Sequence, residues 1–130
     1  MSDAKAIVEN FLRTVESRDL VRARAYLSPD FVMIFPGGRR FTALEELVAW
    51  SQTRGRGVRK VFERLDEVSG DEEIVVYSFG TLEGHWPDGT PFAGIRFLDR
   101  FTLRGGRIVE QRVWNDMGEH RPMTSVSMKS

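Results

Sequence analysis

The sequence predicts an α+β domain in which three N-terminal helices pack on one face of a curved antiparallel sheet. Helical spacing of apolar residues dominates residues 4–55, whereas four alternating segments separated by tight-turn residues fill 58–116. The length of 130 residues, with 41% hydrophobic and 29% charged side chains, suits one globular domain. A chain of this size buries roughly two thirds of its unfolded surface and needs no metal or disulfide to hold it.

Residues 4–16 place Ile7, Val8, Phe11, Leu12 and Val15 at three- and four-residue steps, with Glu9, Arg13 and Glu16 opposite, an amphipathic helix. Asp19 caps a second short helix whose Leu20, Ala23 and Leu27 share a face, and Pro29 is expected to end it. Phe31-Val32-Met33-Ile34-Phe35 is a short buried strand stopped by Pro36-Gly37-Gly38. Thr42-Ala43-Leu44-Glu45 is a capping box opening a third helix with Leu44, Leu47 and Val48 on its stripe, fraying near Gly55. Four long strands follow, over 58–69, 72–86, 91–104 and 107–116. Ser69-Gly70-Asp71, Pro87-Asp88-Gly89-Thr90 and Gly105-Gly106 separate them, which is hairpin chemistry. The domain spans 1–117, and 118–130 is a polar tail.

Nineteen Lys and Arg balance nineteen Asp and Glu, so no net field draws nucleic acid or anionic lipid. With no cysteine, thiol catalysis, disulfides and cysteine-based metal sites are excluded. The two histidines lie far apart and form no ligand cluster, so neither metal nor cofactor is expected. No apolar run reaches the ~18 residues of a membrane span, and the charged first twenty residues fit no signal peptide. The expectation is a cytoplasmic protein with neither membrane nor nucleic-acid partner.

Strand alternation picks out the candidate site. In 93–104 one face holds Ile95, Phe97, Asp99, Phe101 and Leu103, making Asp99 the one ionisable group on the apolar face. Such a carboxylate must pair, protonate or face a cavity. Desolvation raises its pKa, the direction that suits a general acid or a hydrogen-bond donor. The competing reading is a structural carboxyl held by one of sixteen arginines or by backbone amides. On the last strand Gln111, Val113 and Asn115 share the less charged face and would orient a ligand beside Asp99. The opposite face gathers Arg96, Arg100, Arg112 and Trp114, an arrangement suited to a self-complementary homodimer.

Taken with "DFVMIFPGG" and "FLDRFTLRGGRIVEQRVWND", this order of elements resembles the nuclear transport factor 2-like superfamily, with its SnoaL-like and ketosteroid-isomerase-like members. The resemblance covers about residues 4–117. It implies a cone-shaped sheet around a pocket, commonly in a dimer. Ketosteroid isomerases of that superfamily place a base Asp before the proline that ends the first strand, where this chain has Phe35. Phe11 stands in place of their oxyanion-hole Tyr. Their second oxyanion donor, a neutral Asp on the penultimate strand, matches Asp99. Steroid isomerisation of the usual kind is therefore not expected. Related epoxide hydrolases use an Arg two residues before that Asp and an Asp on the last strand. Here Arg96 lies three residues before Asp99, Val113 replaces the last-strand Asp, and Asp116 falls on the other face.

The sequence thus predicts a pocket for a small apolar or carbonyl-bearing molecule, lined by Phe11, Phe35, Phe97, Phe101, Gln111, Val113 and Asn115. Asp99, with His85 as a second group near the Pro87 turn, would support isomerisation, cyclisation or dehydration. The alternative is a non-catalytic dimeric binding domain with Asp99 as a structural carboxyl. Arg54, Arg56, Arg59 and Lys60 form a local basic cluster, read as the solvated start of a strand.

Overall fold

The computed structural model describes residues 3–121. Helix α1 (Ala4–Glu16) buries Ala4, Val8, Phe11 and Leu12 on one stripe, as its periodicity requires. It stops at Ser17, and Arg18 takes a left-handed backbone (φ 66°) that no helix continues. Helix α2 (Leu20–Arg24) is capped by Asp19, whose Oδ1 accepts from the Arg22 backbone N–H at 3.2 Å.

Strand β1 (Leu27–Phe35) begins earlier than expected and runs through Pro29. The proline is tolerated because pairing with the neighbouring strand lapses between Leu27 and Val32, where a missing N–H costs nothing. Gly37 (φ 86°) and Gly38 (φ 80°) turn the chain into β2 (Arg39–Phe41), which pairs with β1. Three residues, two of them arginine, carry no strand signal in the sequence. Helix α3 (Leu44–Ser51) follows without the expected capping box. Ala43 occupies the N-cap with no side-chain hydrogen bond, and Glu45 and Glu46 in the first turn complement the helix dipole instead.

Strands β3 (Arg56–Ser69), β4 (Ile74–His85), β5 (Pro91–Arg104) and β6 (Arg107–Asn115) form the antiparallel meander. Gly105 and Gly106, both at positive φ, make the last hairpin turn. The sheet order is β2-β1-β6-β5-β4-β3, and it is mixed rather than wholly antiparallel because β1 lies parallel to β6. The sheet is curved and unclosed. Met117–His120 form a short helix, α4, at the start of the expected tail, and residues 122–130 lie outside the described residues.

The main core lies under α1, α2 and α3, where Phe11 meets Phe101 edge to face at 6.2 Å between ring centroids. A smaller cluster of Leu82, Trp86, Ile95, Phe97 and Met117 closes the other end. No helix among the described residues is long and apolar enough to cross a membrane.

Candidate functional site

Alternation along β5 carries Ile95, Phe97, Asp99, Phe101 and Leu103 inward, and all five are buried. Asp99 is fully buried, opposite Ser78 on β4 and Val113 on β6. Its partner is a lysine. Lys60 Nζ on β3 stands 3.0 Å from Asp99 Oδ2 and 4.6 Å from the centre of the Phe97 ring. The ammonium is thus held by a carboxylate and by an aromatic face. Burial pushes the Asp99 carboxyl above the ordinary carboxylate range, and the Lys60 ammonium only partly opposes that shift.

The backbone around Lys60 is tied to α1. Its N–H donates to Glu16 Oε2 at 2.8 Å, and its carbonyl accepts from Arg13 Nη1 at 2.9 Å. Arg13 Nη1 also donates to Glu16 Oε1 at 2.8 Å. This clamp fixes where the lysine side chain starts, which a long flexible side chain needs if its tip is to be placed reproducibly.

Between α1, α3 and the sheet lies a cavity with two lobes, of about 130 Å³ and about 100 Å³. Arg18, Phe35, Ser51, Val58, Lys60 and Leu82 line both. Phe11 and Gln111 belong to the larger lobe, Val113 and Asn115 to the smaller. Asp99 lines neither, so Lys60 is the member of the ion pair that reaches the cavity. Gln111 is buried and its Oε1 has no hydrogen-bond partner among the described residues, nor have Asp99 Oδ1 and Ser78 Oγ. Asn115 Oδ1 accepts from the Met117 N–H at 3.1 Å, so that oxygen is already engaged in starting α4.

Several expected site residues fall elsewhere. His85 is exposed at the end of β4 and lines neither lobe, because alternation from Leu82 turns Trp86 inward and His85 outward. Phe97 and Phe101 are core side chains, one beneath Lys60 and one against Phe11, and neither lines the cavity. On the outer sheet face Arg100 pairs directly across from Arg112, and Leu98 from Trp114, which is 49% exposed. Glu110 lies 3.7 Å from Arg100 and 3.0 Å from Arg112, while Arg96 is bound to Asp116 at 2.6 Å.

Lys60 was legible as a strand residue but not as a site residue. Val58, Lys60 and Phe62 alternate with the exposed Arg59, Val61 and Glu63, and that period places the lysine on the inner face. Reading 54–60 as one solvated basic run obscures the period. Among the described residues, no three His, Asp or Glu side chains converge as a metal site.

Residues 8–111 match the SnoaL-like domain model. No curated protein matches the chain. Solved structures do. An NTF2-like protein of unknown function from Burkholderia pseudomallei is 22% identical over 92% of this chain and 95% of its own, with a TM-score of 0.72. TerC co-crystallised with polyporic acid is 19% identical over 92% of this chain and 95% of its own, at 0.73. A candidate SnoaL-like polyketide cyclase from Jannaschia sp. is 20% identical over 98% and 93%, at 0.66. At these identities the likeness is one of fold.

Proposed function

This chain belongs to the SnoaL-like domain family, and on that premise we propose that its cavity binds a small, largely apolar molecule bearing a carbonyl group, on which Lys60 and Asp99 act together. The observation that carries this reading is the ion pair itself: a fully buried carboxyl joined at 3.0 Å to the one lysine that lines an otherwise mostly apolar cavity. An ammonium at that position donates to a ligand oxygen and stabilises the negative charge that develops there when an adjacent carbon loses a proton. Asp99 behind it holds the lysine in place and takes one of its protons, which leaves a neutral amine to receive the proton lost from carbon; the ammonium so re-formed faces the developing enolate oxygen, and return of the proton to carbon regenerates the pair. Isomerisation, cyclisation and dehydration all pass through such a step. The similar structures support a small-molecule role: one holds polyporic acid and another carries a candidate polyketide cyclase name.

The test uses 2-tetralone, a two-ring ketone, in deuterated buffer. Wild type is expected to show a thermal shift with the ketone and to speed exchange of its α-hydrogens for deuterium by ~10²-fold or more. Lys60→Met and Asp99→Asn should return the exchange to the buffer rate under conditions where they remain folded. Binding without accelerated exchange would favour a second reading, a structural ion pair in a non-catalytic binding domain, which the complete burial of Asp99 also supports. Absence of binding would remove the cavity from the account.

We also propose that the outer face of β5 and β6 joins two copies of the chain. Each of its three arginines has a carboxylate partner within the face, Asp116 for Arg96 and a shared Glu110 for Arg100 and Arg112, which lowers the cost of covering them, and the half-exposed Trp114 supplies an apolar anchor. Sedimentation of wild type and Trp114→Glu decides this: a wild-type monomer at micromolar concentration would refute it.

A further inference from the structure

We propose that the ligand of this cavity is an anion, an apolar body carrying one carboxylate, whose charge is received by Arg18 and Arg54. The inference rests on the cavity being a binding site and adds the charge of what it binds.

The chain as a whole is neutral, yet its charges are segregated at this site. Arg18, Arg54 and Lys60 line the smaller lobe, and no Asp or Glu lines it with them. Outside, an open groove of about 740 Å³ between the end of α1 and the start of β3 is lined by Arg13, Arg18, Arg56 and Arg59. Its one acid, Glu16, has both oxygens engaged, by Arg13 and by the Lys60 backbone. Among the described residues Arg18, Arg54, Arg56 and Arg59 have no carboxylate within ion-pair distance. The path from groove to cavity is therefore lined with uncompensated positive charge, and walls of low dielectric focus such a field on what enters.

Two of these arginines are kept at a cost. Arg54 lies 4.9 Å over the Trp50 ring, and Arg39 lies 5.4 Å from the same ring. The Arg54 Nε is buried without a hydrogen-bond partner among the described residues. Burial, then repulsion from Arg121 and Arg39, holds its pKa below the ordinary arginine value. A planar guanidinium with a free N–H edge suits bidentate recognition of a carboxylate. Arg18 adopts φ 66° just past the end of α1, a position where glycine is the usual solution. Among the charged side chains it alone lines the groove and both lobes. A hydrogen bond from its Nη1 to the Val15 carbonyl at 2.9 Å anchors the guanidinium at the junction between groove and cavity, and its other N–H groups remain for an anion.

Calorimetric titration with 2-naphthoate and 2-naphthamide separates charge from shape, since the two share one ring system. Wild type is expected to bind the carboxylate at least ~10-fold more tightly than the amide at low salt, with the difference shrinking as salt rises. Arg54→Gln and Arg18→Gly should each weaken naphthoate by about 5- to 10-fold and leave naphthamide within about 2-fold. Should Arg54→Gln fail to fold, Arg18→Gly still carries the test, because glycine suits that backbone. Equal affinity for the two probes, or naphthoate binding indifferent to both substitutions, would overturn the anion while leaving the cavity as a binding site. Failure of both probes to bind would overturn the inference together with the cavity reading.

Discussion

Replacing Lys60 with methionine keeps most of the side chain's apolar stem and removes the charge that faces Asp99. At 3.0 Å, and with the effective dielectric of ~20 that suits most protein sites, the lost attraction is about 5 kcal/mol before any relaxation. Removing one partner of a buried pair costs about 3–5 kcal/mol in practice. Asp99 is fully buried and its carboxyl already titrates above the ordinary range, so the variant escapes part of that penalty by protonating it. The pH dependence follows from this. A folded pKa raised above the unfolded value of about 3.9 leaves stability intact below that value. Stability is then lost as pH climbs toward the folded pKa. In Lys60→Met that pKa rises further, so the destabilisation should be about 3–5 kcal/mol at pH 8 and fall to about 1 kcal/mol near pH 4.5. Urea unfolding at constant ionic strength across that range measures it, and Lys60→Met/Asp99→Asn should recover most of the loss at pH 8. A loss that is the same at both pH values, or one that Asp99→Asn does not rescue, would refute the reasoning.

Asp99→Asn on its own should remove the downward slope of stability between about pH 4 and the raised pKa, so its stability relative to wild type should increase with pH when followed by thermal unfolding. Gly80→Ala drives a Cβ into the Val61 carbonyl oxygen and to 3.0 Å from Phe97 Cε2, and should cost ~3 kcal/mol in urea unfolding. A loss under about 1 kcal/mol would mean that β3 and β4 separate easily there. Asp19→Ala deletes the α2 cap and should cost about 1 kcal/mol without changing naphthoate binding in calorimetry.

The contacts that build the site explain why some of it could be read in advance. The inward face of β5 follows from period-two alternation, a local property of the chain, so the isolation of Asp99 among apolar residues is visible in the sequence. Gln111 and Val113 line the cavity by the same rule on β6. Val109, by contrast, is passed over by the register shift opposite Thr102 and Leu103, and Ile108 is buried in its place. The third helix is marked by its apolar stripe, whereas its expected capping box does not form, because the helix starts with Ala43 at its N-cap and alanine has no side-chain acceptor.

What the sequence by itself determined is the set of local decisions: helices in the first third, a hairpin meander after them, turns at the glycines, and one carboxyl set among apolar neighbours. Tertiary structure alone decided which cation meets that carboxyl. Lys60 is opposite Leu82, and Leu82 is opposite Ile95, which leaves Asp99 two strands over and four residues further along. On a flat sheet that diagonal is roughly 16 Å between backbones, out of reach for two side chains that stand off the sheet. Curvature of the sheet closes it, and Gly80, opposite Phe62 and Phe97, lets β3 and the Phe97 ring approach closely along the route. Sixteen arginines offered nearer partners in composition, but composition does not encode distance. The register shifts that bend β3 and β4 do, and they arise only when the strands pair.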